Sequence, residues 1–211
     1  MASAMIHIVV ANELNKKLNR DSNKLLIGTI APDIARIVGI DRNITHFQDI
    51  DKRYPNINNF LVKYKKELND DFVMGYYIHL LTDYFWYKYF FTELANDNTM
   101  ITKNGVRIKL DYKLLNNYIY NDYTNLNIDL IEKYNLDLKI FYNEIPEIDD
   151  IIKEFPMKDI KKVVDKIGII IENSNKHKSY LFDIKNVITF INTCVDLIDG
   201  ILNDNNYYDF K

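Results

Sequence analysis

"GYYIHLLTDYFWYKYF", residues Gly75–Phe90, decides how the rest of the chain is read. Its apolar residues recur at helical spacing, so the stretch reads as the inside of a helix. Its most apolar part nevertheless holds His79 and Asp83, one turn apart among Tyr76, Leu80, Leu81, Phe85 and Trp86. Burying an unpaired polar group costs about 2–7 kcal/mol, and an unpaired charge costs more. Something must satisfy both side chains.

Apolar residues at helical spacing continue through most of the chain, and glycine and proline are scarce, at 6 and 4. The spacing predicts an all-α fold with helices near 3–19, 24–31, 57–69, 71–95, 111–121, 125–135, 157–175 and 180–203. One segment breaks the pattern. "MITKNGVRIKL", residues 100–110, alternates around Asn104-Gly105 and predicts a small β-hairpin projecting from the helical body, read as an inert excursion rather than a lid. The tail from residue 203 onward is expected to fray.

With 211 residues the chain is long enough for one multi-helix domain, 1–211, that buries a core without crosslinks. The lone Cys194 excludes an internal disulfide and a cysteine zinc cluster. Residues 1–17 lack the features of a secretory leader, so a cytoplasmic location is expected. "MASA", residues 1–4, is readable as a cloning remnant ahead of Met5. No apolar run reaches the roughly 18 residues that span a bilayer. A net charge of −3 supplies no general field for nucleic acid or anionic lipid.

Residues four apart share a helix face, so His79 and Asp83 can point into one site. That spacing alone is weak, and a buried hydrogen-bonded pair explains it equally well. Three further features bear on the choice. His7 sits in "MIHIVVA", with Ala11 one turn later leaving room beside it. Asp33 closes "GTIAPDI", where Pro32 is expected to push Ala31 toward an extended shape and let the turn aim a carboxylate inward. His46 follows in "NITHF", a loop-like stretch able to fold back. Imidazole nitrogens with carboxylate oxygens suit zinc and related divalent ions, and the implied set is Asp33, His46, His79 and Asp83. From the residues alone, a metal site and buried structural polar pairs both remain open. Gly75, one turn before His79, would let another backbone or a substrate approach closely.

Other chemistries lack their motifs. There is no His-Asp dipeptide, no His-Glu-x-x-His, no P-loop, no Gly-x-Ser-x-Gly and no Gly-x-Gly-x-x-Gly. Cys194 in "FINTCVDLI" reads as an inert core residue, and His177 in "NKHK" as an exposed one. Lysines and acids alternate along residues 157–178 as on ordinary solvated surface.

The ordered run "HIVVANEL", "GTIAPDI", "THF" and "GYYIHLLTDYFW" resembles the bacterial zinc-dependent phospholipase C family, related to the zinc nucleases that cut single strands. The resemblance covers about residues 5–90 and implies that family's helical fold. It implies that Asp33, His46, His79 and Asp83 bind one zinc ion, that Asp83 bridges to a second, and that His7 serves that second ion. In secreted members a free amino terminus completes the second ion's shell, and none is expected here. The histidines and glutamate of a third ion have no counterparts, so one or two ions are implied, not three.

The function implied is a zinc-dependent hydrolase of a small phosphoester, with Asp33 as ligand and general base for a metal-activated water. Thr82 is expected to bond its own backbone or orient a ligand, and Tyr76 and Trp86 to wall a pocket or pack in the core. Two alternatives stand beside it. One is a binding or structural protein pinned by its ion; the other is a metalloenzyme of other chemistry, such as an amide hydrolase or cyclase, on the same scaffold.

Overall fold

The computed structural model describes residues 1–96, 99–177, 179–203 and 210. The first helix, α1 (Ala4–Leu18), starts where the Ser3 hydroxyl accepts the Ile6 N–H at 3.2 Å and stops at Asn19 in the left-handed region. Residues 1–4, readable as a cloning remnant, are therefore built into the fold: Ser3 caps α1 and Ala2 is buried. Asp21 caps α2 (Ser22–Ile30), which runs directly into a 3-10 turn, Ala31–Ile34. Ala31 is helical, with φ −58° and ψ −43°, rather than extended as its position before Pro32 predicts. Pro32 lies in the first positions of the 3-10 turn, where no N–H is needed, and its carbonyl accepts the Thr45 hydroxyl.

Two single-turn helices follow, α3 (Ala35–Val38) and α4 (Arg42–Thr45), and then α5 (Ile57–Tyr64). His46 is therefore not in an open loop but ends α4, its N–H bonded to the Arg42 carbonyl at 3.0 Å. The central helix α6 (Asp71–Trp86) begins at Asp70, whose carboxylate accepts the Val73 N–H. Every residue from Phe72 to Trp86 is buried, because α1, α2, α5 and α10 (Ile184–Asn203) surround the helix. The predicted helix 71–95 is broken into α6, a π-helical segment (Tyr87–Phe91) and α7 (Thr92–Leu94).

Helices α2 and α6 cross with their backbones in contact. A Cβ on Gly28 would lie 2.1 Å from the Phe72 carbonyl oxygen, and one on Gly75 would lie 2.0 Å from that of Leu25. Gly75→Ala should therefore force the helices apart, at a cost of about 3 kcal/mol, the upper end of overpacking. Thermal melting should show a midpoint about 6–12 °C lower in a chain of this size. A shift under about 2 °C would contradict the close crossing.

The hairpin is real, but it belongs to a three-stranded antiparallel sheet: β1 (Ala95–Asn96), β2 (Thr99–Ile101) and β3 (Arg107–Lys109). Its turn is wider than a two-residue Asn-Gly loop. Gly105 N–H bonds the Thr102 carbonyl, Gly105 has φ +79°, and Thr102 N–H bonds the Val106 carbonyl, which is a three-residue loop. The sheet does not project freely: Ala95 and Met100 join the core, and Lys103 N–H bonds the Tyr180 carbonyl.

The predicted helices 111–121 and 125–135 are one, α8 (Tyr112–Tyr134). The polar run "YNDYTN" reads as a break only if its side chains cap locally. Instead the buried Asp122 carboxylate accepts the backbone N–H groups of Tyr180, Leu181 and Phe182 at 2.6–3.0 Å, and Asn127 bonds Ser174. Amphipathic α9 (Ile160–Glu172), whose buried residues are Val163, Val164 and Ile167, packs on α8 and the 3-10 turn of Asp33. Nothing is described of most of the tail, residues 204–209 and 211, so its fraying lies outside the described residues. Among the described residues no helix is long and apolar enough to cross a membrane.

Candidate metal centre

The α2–α6 crossing brings the Thr29 carbonyl to His79, whose Nδ1 lies 2.7 Å from it. A carbonyl only accepts, so Nδ1 carries the proton and the Nε2 lone pair points away, into the core. A similar device orients His46. The Thr45 hydroxyl spends its hydrogen on the Pro32 carbonyl at 2.8 Å, leaving its oxygen to accept from His46 Nδ1 at 3.0 Å. The Tyr76 hydroxyl holds the Thr45 carbonyl, and Phe47, buried with φ +51°, turns the chain sharply after His46.

The two Nε2 atoms consequently face each other 3.3 Å apart. Burial lowers the pKa of His79 well below the ordinary histidine value, with His7 adding to the effect. Burial also lowers that of His46, against the opposing pull of Asp33. In the neutral form of each ring the proton sits on Nδ1, which faces an oxygen, so the two Nε2 lone pairs converge. Around them lie Asp33 Oδ1, 3.7 Å from His46 Nε2, and Asp83 Oδ2, 3.7 and 3.8 Å from His79 and His46. Burial disfavours both carboxylates in their charged form, yet both titrate below the ordinary range. In their protonated forms His46, His79 and His7 outweigh burial at Asp33, the His46 hydrogen bond foremost, and the Met1 amino group foremost, with His7 and His79, does so at Asp83.

Two anions and two convergent lone pairs are a cation-binding set. The 3.3 Å between the nitrogens equals the edge of a tetrahedron whose bonds to zinc are about 2.0–2.1 Å. The nitrogen–carboxylate separations of 3.7–3.8 Å are about 0.4–0.5 Å longer than that edge. Asp33, His46 and His79, and separately His7, His79 and Asp83, are groups that could hold a metal ion.

The second group is less complete. His7 lies beside Asp83, Nε2 to Oδ1 at 3.3 Å, and its ring stacks on His79 with centroids 3.8 Å apart. Both His7 nitrogens are buried without a hydrogen-bond partner. His79 has one free nitrogen and can serve only one ion, which leaves the second ion His7 and one oxygen of Asp83. The first residues reach the site as well: Ala2 N–H bonds Asp83 Oδ1 at 2.8 Å, and the Met1 carbonyl accepts the Tyr123 hydroxyl.

All five residues singled out in the sequence thus meet in one place. Arg42 was not among them, although it sits one turn before His46 on α4 and so shares its face. Its Nη2 lies 3.3 Å from Asp83 Oδ2 and its Nη1 lies 3.3 Å from Gln48 Oε1. Thr82 bonds its own helix at Ile78, away from any ligand. Trp86 packs among Phe90, Phe182 and Phe190, and Tyr76 beside Phe60, so both belong to the core rather than a pocket wall. Burial pushes the Cys194 thiol up, which suits an inert core residue, and His177 is exposed.

A cavity of about 1180 Å³ opens onto the cluster. Of the five residues only Asp33 lines it, with 17% of its side chain exposed. No family model, curated protein or solved structure matches the chain.

Proposed function

We propose that this chain is a zinc-dependent hydrolase of phosphoesters, with the helical scaffold of the zinc-dependent phospholipase C and nuclease type. The observation that carries the reading is the pair of Nε2 lone pairs 3.3 Å apart, flanked by two carboxylates at the inner end of a large cavity. His46, His79, Asp33 and Asp83 would hold the ion. A zinc ion there would lower the pKa of water from about 15.7 toward 7 and stabilise charge on an adjacent phosphoryl oxygen.

The chain's own residues divide the remaining work. Thr29 and Thr45 fix the histidine tautomers, so that both imidazoles present lone pairs without reorganisation. Asp83, fully buried and held by Ala2 and Arg42, is a ligand that keeps its charge. Asp33 faces the cavity, where its free carboxylate oxygen can orient a water and take its proton.

The burial of His46, His79 and Asp83, each at most 1% exposed, also suits a structural ion. Metal quantitation and phosphodiester hydrolysis, measured on wild type and His79→Ala, separate the two readings. The hydrolase reading expects about one zinc per chain, lost in His79→Ala together with activity, and activity that returns in proportion to added zinc. A zinc-replete protein that hydrolyses no phosphoester, and unfolds when the ion is removed, would overturn it in favour of the structural ion.

A further inference from the structure

We propose that the substrate is a multiply charged anion, a phosphomonoester or a phosphodiester with a second acidic group, gripped by Arg42 beside Asp83 and drawn in by Arg36 and Arg53 on the same cavity wall. This names the substrate class for the hydrolase reading above and rests on it. The chain as a whole carries more acid than base, 30 residues against 27, yet the cavity is lined by Arg36, Arg42, Arg53 and Lys166 against the single carboxylate of Asp33. Positive charge is concentrated where the candidate centre opens.

Arg42 is the innermost of these cations. Its two terminal nitrogens have partners at 3.3 Å, but its Nε–H is buried without any. A buried N–H left unpaired opposes folding, so the fold alone gives no reason for it. The Nε edge of a guanidinium is suited to a two-point bond with phosphate, which a lysine cannot make. Arg36 is oriented without being neutralised: it lies 5.0 Å from the Tyr120 ring centroid and bonds that ring's hydroxyl. Among the described residues Arg36, Arg53 and Lys166 have no carboxylate within ion-pair distance, which leaves their charge for a ligand.

The cavity is larger than a phosphate needs. Leu115, Ile119, Ile167 and Ile171 form an apolar wall, so the anion is expected to carry an organic group that packs there. A lipid-derived phosphate and a soluble aryl phosphate share this chemistry.

Calorimetric titration of zinc-supplemented protein, at fixed ionic strength, with phenyl phosphate, dibutyryl phosphatidate and the singly charged diester ethyl phenyl phosphate tests the assignment. Both dianions should bind about tenfold or more tightly than the monoanionic diester. The tighter of the two identifies a soluble or a lipid-derived source. Compared at matched zinc content, Arg42→Lys should weaken the dianions about tenfold, and Arg53→Gln should narrow the preference for them. Equal binding of dianions and monoanionic diester, or dianion binding unaltered in Arg42→Lys, overturns the proposal. If wild type holds no zinc, the hydrolase reading fails on that measurement alone. The same titrations then still decide whether Arg42 selects dianions.

Discussion

Asp33→Asn is expected to lower turnover of a phosphodiester by about 10²–10⁴-fold while changing substrate binding far less. Asparagine keeps the size and one oxygen of the aspartate but cannot accept a proton. Asp33 is the one member of the cluster on the cavity wall, so the loss should fall on the chemical step. Steady-state kinetics with matched zinc content would show it: kcat falls and KM stays within a few fold. Equal losses in both would mean that Asp33 only binds, and the base must be sought elsewhere. The depressed pKa of Asp33 adds a second expectation about pH. A base ionised below the ordinary carboxylate range should leave the acidic limb of the rate profile to other groups, because Asp33 is already charged there.

Asp83→Asn should act on the other side of the ledger, removing the ion and much of the stability together. The Asp83 carboxylate faces His7, His46, His79, Arg42 and the Ala2 amide at once. Breaking a buried ion pair costs about 3–5 kcal/mol. Arg42 keeps 26% of its side chain in solvent, which places the cost near the lower end, about 3 kcal/mol or 6–12 °C in thermal midpoint. Zinc should no longer co-purify at stoichiometric level. Wild type stripped with chelator should melt above the variant, because it lacks the cation but keeps the Arg42–Asp83 pair. An Asp83→Asn protein that keeps its full zinc content would refute the placement of this residue at the centre.

Much of this was legible in the sequence. The buried character of α6 followed from apolar spacing on every side, and the clash of that pattern with His79 and Asp83 pointed to the site. Asp33 and His46 followed because each polar residue lies in an apolar or turn-forming context. Other parts depend on contacts between distant segments, which single-chain periodicity does not encode. Asp122 looked like a helix break because the Tyr180–Phe182 amides that consume its carboxylate lie about 60 residues away. Gly28 drew no attention because close approach takes two glycines, and only Gly75 lay beside a suspicious histidine. Nothing in the sequence marks Arg42, since burial of its Nε depends on the surrounding fold and not on α4. The π-helical step after Trp86 leaves no mark in composition, yet it carries Tyr87 and Phe91 to the cavity.

The side chains that would hold the ion all come from residues 7–83, whereas the wall of Leu115, Ile119, Ile167 and Ile171 comes from α8 and α9. Heredity can therefore edit the two halves at different tempos. Exchanges along α8 and α9 can retailor which organic group is welcomed while the reactive end is inherited intact, so descendants of one such ancestor could diverge in diet without reinventing their chemistry.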